Sequence, residues 1–303
     1  MSVRSSLYYR RGAGGKVAIE DMRMSTGQRF FVHSGTGTNG TAYGFTPDKP
    51  FATVDYAISK CTASKGDIVF VMPGHAENIT SATGMVFDIA GVQVIGIGTG
   101  RLKPQISITT ATTSTISFTA ANCVLENVDI INNFLDIAAT LTIAATATGT
   151  TLRNIRVHDT SVILGALVGI AVAADADDLT IDGFEYHGFT LTALATNCIL
   201  FAGGCDRLKM SNVFIVGSFS NVTIAGETAL SIDISLNNIT TYNKHATGTG
   251  IHMHASTTGV ARNLEAFNAA SVGLVGEAIL QSFTCRVNGA NSVTSMLNAA
   301  IDT

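Results

Sequence analysis

Leu125-Glu126-Asn127-Val128-Asp129-Ile130 decides the fold, because the chain keeps returning to it. Leu152-Arg153-Asn154-Ile155-Arg156-Val157 has the same form, as do Ile181-Asp182-Gly183-Phe184-Glu185-Tyr186 and Met210-Ser211-Asn212-Val213-Phe214-Ile215. Weaker copies are Leu236-Asn237-Asn238-Ile239-Thr240-Thr241 and Ala261-Arg262-Asn263-Leu264-Glu265-Ala266. With the third residue taken as pivot, the copies fall at 127, 154, 183, 212, 238 and 263, in steps of 27, 29, 29, 26 and 25 residues. A near-constant period of this size on a strand-like motif is the signature of a solenoid.

The motif says which solenoid. Apolar residues stand two before the pivot, directly after it and two further on, with polar residues between, which is strand alternation broken by one bend. Asn or Gly occupies the bend, and both tolerate a left-handed backbone. A helical repeat would space its apolar residues by three and four over ten or more positions, and none does so here. The motif therefore predicts an all-β chain wound as a single parallel β-helix, each coil of about 27 residues stacked roughly 4.8 Å on the last.

Charges fix the register. Just before the pivot stand Glu126, Arg153 and Asp182; two after it stand Asp129, Arg156 and Glu185. Stacked in register, both columns alternate in sign, as neighbouring strands favour. Asp178, Arg207 and Asp233, five before the pivot, make a third. A second strand column is read through Ile116, Ile143, Ile170, Ile199, Ile251 and Ile279, with either Ile224 or Leu230 between 199 and 251.

With 46% hydrophobic and only 13% charged residues, the 303-residue chain can bury a large core and is far from a disordered composition. Its charge is uneven. Residues 1–29 hold Arg4, Arg10, Arg11, Lys16, Arg23 and Arg29 against Glu20 and Asp21, a balance of +4 within a whole-chain charge of −4, which leaves −8 for the rest. A basic arm on an acidic body reads as a tether rather than a nucleic-acid-binding domain. The five cysteines (61, 123, 198, 205, 285) show no CxxC spacing and read as free, mostly buried thiols of a reducing compartment. No apolar leader precedes Lys16, and the 15-residue apolar run from Thr160 to Ala174 is too short to span a membrane.

In chain order, residues 1–29 read as an extended arm that orders against a partner through Arg4, Leu7, Tyr8, Tyr9, Arg10, Arg11 and Lys16. Residues 30–303 form the β-helix domain. Gly35-Thr36-Gly37-Thr38-Asn39-Gly40 lacks the Gly-Lys-Ser/Thr ending and the following helix of a phosphate loop, so it reads as a plain connection. A cap spans about 45–66, with Val54, Ala57, Ile58 and Cys61 on one helix face; coils run from about 67 to 290, and 288–303 closes the domain.

Asp48-Lys49-Pro50-Phe51-Ala52-Thr53-Val54-Asp55-Tyr56-Ala57-Ile58, followed by Gly66-Asp67-Ile68-Val69 and Met72-Pro73-Gly74, resembles the opening of pectate-lyase-like right-handed β-helices. The resemblance implies a short helix covering the open end of the solenoid. The same opening looks like that of tailed-bacteriophage virion proteins, the tailspikes and the head decoration or cement proteins. This superfold hosts lyases, hydrolases and inert structural proteins, so function must come from sites.

Polygalacturonase-type β-helices resemble the chain at Asp177-Asp178, His187-Gly188 and Arg207-Leu208-Lys209. A site on one face needs members about a whole coil apart, and Asp178 and His187 are only nine residues apart. The family's earlier Asn-Thr-Asp motif is also missing. Asp175, Asp177 and Asp178 could gather Ca²⁺, but read as a solvated turn with Asp178 paired to Arg207. His252 and His254 share a strand face without a third ligand, His75 and Glu77 lie two apart without a visible partner, and His158 and His187 share one column.

No catalytic, cofactor or metal residues are therefore expected. The resemblance, the arm, the absent leader and the absent catalytic set together imply a bacteriophage structural protein. The leading expectation is a homotrimeric capsid decoration protein, assembled in the host cytoplasm and attached by its arm to the major capsid protein or another virion protein. It touches neither nucleic acid nor membrane. The alternative is a tailspike or fibre domain that binds, or also cleaves, host surface polysaccharide. That alternative requires a groove of aromatic and acidic residues, and aromatics are only 7% of the chain and dispersed along it.

Overall fold

The six coils that carry the motif turn their corner on a residue with positive φ. The pivots Asn127, Asn154, Gly183, Asn212, Asn238 and Asn263 have φ of 57°, 51°, 69°, 54°, 54° and 51°. Gly adopts this conformation freely and Asn at a smaller cost than most residues, which explains the residue types found there. The computed structural model describes residues 25–189, 195–226, 228–254 and 256–268, with the strands Leu274–Gly276, Ile279–Gln281 and Cys285–Asn288.

Among these residues the chain winds as the parallel β-helix read from the repeat, with one sheet of 14 strands and one of 8. The long sheet stacks Val124–Asn132, Thr151–Asp159, the pair Thr180–Asp182 and Glu185–His187, Lys209–Gly217, Ile234–Asn243 and Thr258–Asn268 in parallel. The left-handed pivot bends each of these rungs in two. Its inward residues form columns: Leu125, Leu152, Ile181, Met210, Leu236 and Ala261 before the bend, and Ile130, Val157, Tyr186, Ile215, Thr241 and Ala266 after it. All are buried, and each fully buried aliphatic side chain stabilises the coil by roughly 1.5–3 kcal/mol.

Two of the charge columns stack as read, and in the third Asp178 meets Arg207. Arg153 lies between Glu126 and Asp182, and Arg156 between Asp129 and Glu185. The second strand column needs two corrections. It runs Met85, Ile116, Leu141, Ile170, Ile199, Ile224, Ile251 and Leu274. Ile143 instead stacks with Phe118 and Val172, and Ile279 with Thr258 in the long sheet. Leu141 and Ile143 both point inward, so a slip of two preserves the apolar pattern and a fixed period cannot detect it. The step from Ile251 to Leu274 is simply shorter than the period predicts. Ile224, not Leu230, is the member after Ile199.

The capped end is closed as expected. Thr53 accepts a hydrogen bond from Tyr56 N and opens the helix Val54–Ile58, which buries Val54, Ala57 and Ile58. Beyond it, Arg29–Val32 adds a terminal rung against Ile68–Val71. The free edge of that rung is covered by backbone bonds to Gly44 and Phe51. Folded structure starts before residue 30: Gln28 N donates to Asp67 Oδ1 at 2.6 Å, and Ser25 and Thr26 bond the carbonyls of Gly66 and Lys65. Gly37 N and Thr38 N are bonded to His33 O and Pro50 O, so these amides of the Gly35–Gly40 loop serve their own chain. The apolar run 160–174 resolves into a corner loop and the strand Val168–Val172. No described helix is long and apolar enough to cross a membrane.

Pivot side chains bond one another up the solenoid. Asn154 Nδ2 donates to Asn127 Oδ1 at 2.8 Å, Asn238 Nδ2 to Asn212 Oδ1 at 2.9 Å, and Asn212 Nδ2 to Asp182 Oδ1 at 2.9 Å, Asp182 substituting for the side chain that Gly183 lacks. Asn212→Ala removes two such bonds and forces a Cβ-bearing residue into the left-handed region, a combined cost of about 2 kcal/mol. Asn212→Gly loses the bonds without the strain, about 1 kcal/mol. Thermal unfolding should rank wild type above Gly above Ala; an alanine variant as stable as the glycine one would disprove the role of the left-handed corner.

Candidate functional site

Inward residues fill the core, so chemistry has to come from the outward face of the long sheet, the loops at its corners, or polar groups trapped inside. On the outward face of the early coils the columns are charged. Arg153 meets Glu126 at 3.2 Å, and Asp129 takes Lys103 at 3.2 Å rather than Arg156. Asp182 accepts from Ser211 and Asn212, which hold its carboxyl below the usual range.

From coil to coil the same columns then change character. Two after the pivot, Glu185 is followed by Phe214, Thr240 and Glu265; four after it, His187 is followed by Val216, Tyr242 and Phe267. Ring centroids lie 5.9 Å apart for His187 and Phe214, 5.8 Å for Phe214 and Tyr242, and 4.6 Å for the stacked pair Tyr242 and Phe267. Phe214 is 38% and Tyr242 37% exposed. Three aromatic residues that look scattered in sequence thus form one stripe. Their spacings, 28 and 25 residues, are each about a coil, and extending the columns of Glu185 and His187 side by side would have found them.

Where the strands leave this face, a buried polar corner holds the loops. Asp159 accepts from Asn132 Nδ2 at 2.9 Å, Ala166 N at 3.3 Å and Tyr186 Oη at 3.2 Å, while Asn132 accepts from Thr140 Oγ1. Burial pushes the Asp159 carboxyl up to about 6, and desolvation with the adjacent Asp159 raises Tyr186. Neighbouring His158 is lowered, by burial first and Arg156 second, and its Nδ1 finds no hydrogen-bond partner among the described residues. His158 and His187 do stack, as read.

The tempting enzyme-like residues do not converge. Arg207 Nε and Nη2 bind Asp178 Oδ1 and Oδ2 at 2.6 and 2.9 Å, and the pair holds the Asp178 carboxyl low. Asp177 accepts from Asp206 N and lies 3.5 Å from the same guanidinium. His187 sits on another face, bonded to Glu185. Asp175, a left-handed turn residue, donates its N–H to Gly204 O. Among the described residues no three His, Cys, Asp or Glu side chains are grouped to hold a metal. His254 Nδ1 accepts from Ser256 N, and His252 stacks on Ala225. His75 and Glu77 have partners the sequence hid: Ser34 N donates to His75 Nδ1, so His75 Nε2–H faces Glu77 Oε2 at 3.1 Å, and Glu77 also receives Val54 N at the start of the cap helix. Cys61, Cys123, Cys198 and Cys205 are free and buried, Cys61 and Cys205 being pushed up to about 12 by burial. The arm residues Arg4, Leu7, Tyr8, Tyr9, Arg10, Arg11 and Lys16 lie outside the described residues, as does the closing segment beyond Asn288.

No family model and no curated protein matches the chain. Two solved structures share part of its winding. The GH136 lacto-N-biosidase from Eubacterium ramulus aligns over 85% of this chain and 57% of its own, at 12% identity and a TM-score of 0.46. A rhamnogalacturonan lyase aligns over 82% of this chain and 70% of its own, at 16% identity and a TM-score of 0.41. The chain spans little more than half the length of the first.

The buried carboxyl makes stability depend on pH. The folded state holds the Asp159 proton more tightly than the unfolded chain does, so this contribution is complete below the unfolded value of 3.8 and is lost as pH rises through about 6. The span is worth about 3 kcal/mol. His158, shifted downward, slopes the opposite way, so the comparison must be between variants. Asp159→Asn keeps an acceptor for Asn132 and Ala166 and should melt higher than wild type near pH 8, the gap closing toward pH 4. A constant gap across that range would show that Asp159 stays ionised in the fold.

Proposed function

We propose that this β-helix is a structural protein of a bacteriophage particle, a capsid decoration protein whose arm attaches it and whose coils project as a rigid rod. The observation that carries this reading is where the arm joins the body. Residue 25 enters at the capped end, beside Gly66 and Asp67, below the terminal rung Arg29–Val32. A basic segment leading from one closed end of an acidic rod suits a tether, because it leaves the remaining coils free to stand clear of the surface. Pairing of Asp178 with Arg207 supports a structural rather than catalytic use of those residues.

A specific observation favours a second reading, binding of host surface polysaccharide as in a tailspike. The stripe of Phe214, Tyr242 and Phe267 flanked by Glu185 and Glu265 brings together the aromatic and acidic residue types that the groove of this reading calls for. Cleavage of such a glycan is its finer form. Its check is release of reducing or unsaturated ends from polygalacturonate, alginate or capsular glycan, and turnover abolished by Asp178→Asn would replace the structural reading with an enzymatic one.

The attachment itself is tested by truncation. Because residues 25–29 are bonded into the body, the deletion has to stop at residue 24. The shortened protein should keep its melting temperature and oligomeric state, yet bind particles far more weakly. Binding by the full chain should fall as salt rises, as screened charges require. Full occupancy of particles by the shortened protein would place docking on the coils instead.

A further inference from the structure

Followed toward the capped end, the outward column of Asp182, Arg153 and Glu126 turns apolar, continuing as Ile95, Phe70 and Phe31. With Ile68, Met72 and Ile97 these residues form a hydrophobic cluster of their own, divided by the sheet from the core cluster of Phe30, Val69 and the cap helix. Outward rings on the open part of this sheet are more than a third exposed, Phe214 at 38% and Tyr242 at 37%. Phe31, Phe70 and Ile68 are instead 1%, 2% and 0% exposed. Among the described residues the cluster draws only on the first three rungs and the residues next to them, so it does not supply its own cover. We infer that residues 17–24 of the same chain lie across this face as an apolar clasp, and that the tether is residues 1–16 alone. This goes beyond the attachment reading and does not depend on it.

Position, burial and composition name the occupant. Ser25 bonds the Gly66 carbonyl and Gln28 N bonds Asp67, directly before Ile68, so the chain is fixed at the rim of this face. Burial is complete on the two rungs nearest that point and eases at half-buried Ile95. Residues 17–24 include Val17, Ala18, Ile19, Met22 and Met24. Residues 1–16 hold Arg4, Arg10, Arg11 and Lys16 and no acid, while beyond them Arg23 and Arg29 cancel Glu20 and Asp21. The arm's whole positive balance therefore lies outside the clasp. Eight extended residues reach about 26 Å, enough for a cluster about 13 Å along the strand and about 10 Å across three rungs. Attachment at residue 25 keeps the segment at high effective concentration beside the face. Ordering it costs much of what its burial gains, so the clasp hardly moves the melting temperature and is read instead by access to the face.

The test is hydrogen exchange of the native full chain, joined to the fluorescence of bis-ANS, a dye that lights up on exposed apolar surface. Amides of residues 17–22 should exchange at least about tenfold more slowly than those of residues 1–16. Ile19→Ser with Met22→Ser in the full chain should remove that difference and raise dye fluorescence several-fold. Deleting residues 1–16 should leave the dye signal at the full-chain level, whereas deleting 1–24 should raise it as the double variant does. Equal exchange across residues 1–22 of the full chain overturns the proposal, whatever the variants do. So does a dye signal that is the same with and without residues 17–24. A rise already complete on deleting 1–16 would assign the cover to the basic segment and overturn it too. Particles enter neither measurement, so failure here leaves the attachment reading standing.

Discussion

A left-handed corner repeated at one height governs this molecule. A strand rung that must turn and come back one layer higher needs a residue at positive φ, and the cost of that conformation falls on whichever residue stands there. The chain meets it with Asn or Gly at each pivot, and again five residues earlier, where Asn122, Gly149, Asp178, Arg207 and Asp233 are also left-handed. Asparagine has a further advantage over glycine, since its amide bonds the amide of the next coil. The ladder therefore offsets part of the backbone cost that creates it. Gly96 shows the limit: a Cβ there would stand 2.0 Å from Asn127 O, so no asparagine could start the ladder one coil sooner.

The opposite corner uses different chemistry. Asn132, Asp159 and Asn243, each five after a pivot, turn inward and bind the loops that lead to the second sheet. Buried polar groups are tolerated there because each has partners: Asn132 the side chains of Thr140 and Asp159, Asp159 the backbone N–H of Ala166, and Asn243 the backbone of Phe219. Gly188 and Gly217 occupy the same position on intervening coils; a Cβ at Gly188 would press on Tyr186, whose hydroxyl reaches Asp159 instead. One coil thus lends its polar side chain to the next, and a carboxyl group remains in the core.

Much of this was legible because a period can be counted. The pivots, the inward columns and the charge columns are set by spacing alone, and they stack as read. The second sheet was less legible because Leu141-Thr142-Ile143 presents two inward residues two apart, and because loop lengths between the sheets vary. His75 and Glu77 kept their roles hidden because their partners, Ser34 and Val54, are backbone donors that leave no trace in residue type. The aromatic stripe was readable in principle. Phe214 stands two after its pivot and Tyr242 and Phe267 four after theirs, so no single column reveals the cluster, and only neighbouring strands bring the rings together.

The sealed end has a consequence for how the chain acquires its shape. Every rung bonds a partner about one coil away, so the entropy of closing each loop is nearly the same and none is prohibitive. A rung still needs a finished neighbour to form upon. A segment that supplies such a surface, helix Val54–Ile58 with the rung Arg29–Val32, precedes the later coils in the chain and emerges before them during synthesis. Growth from that end adds each new coil on the last. An error in an early coil would propagate to every later one, whereas an error in a late coil would leave a shorter rod intact.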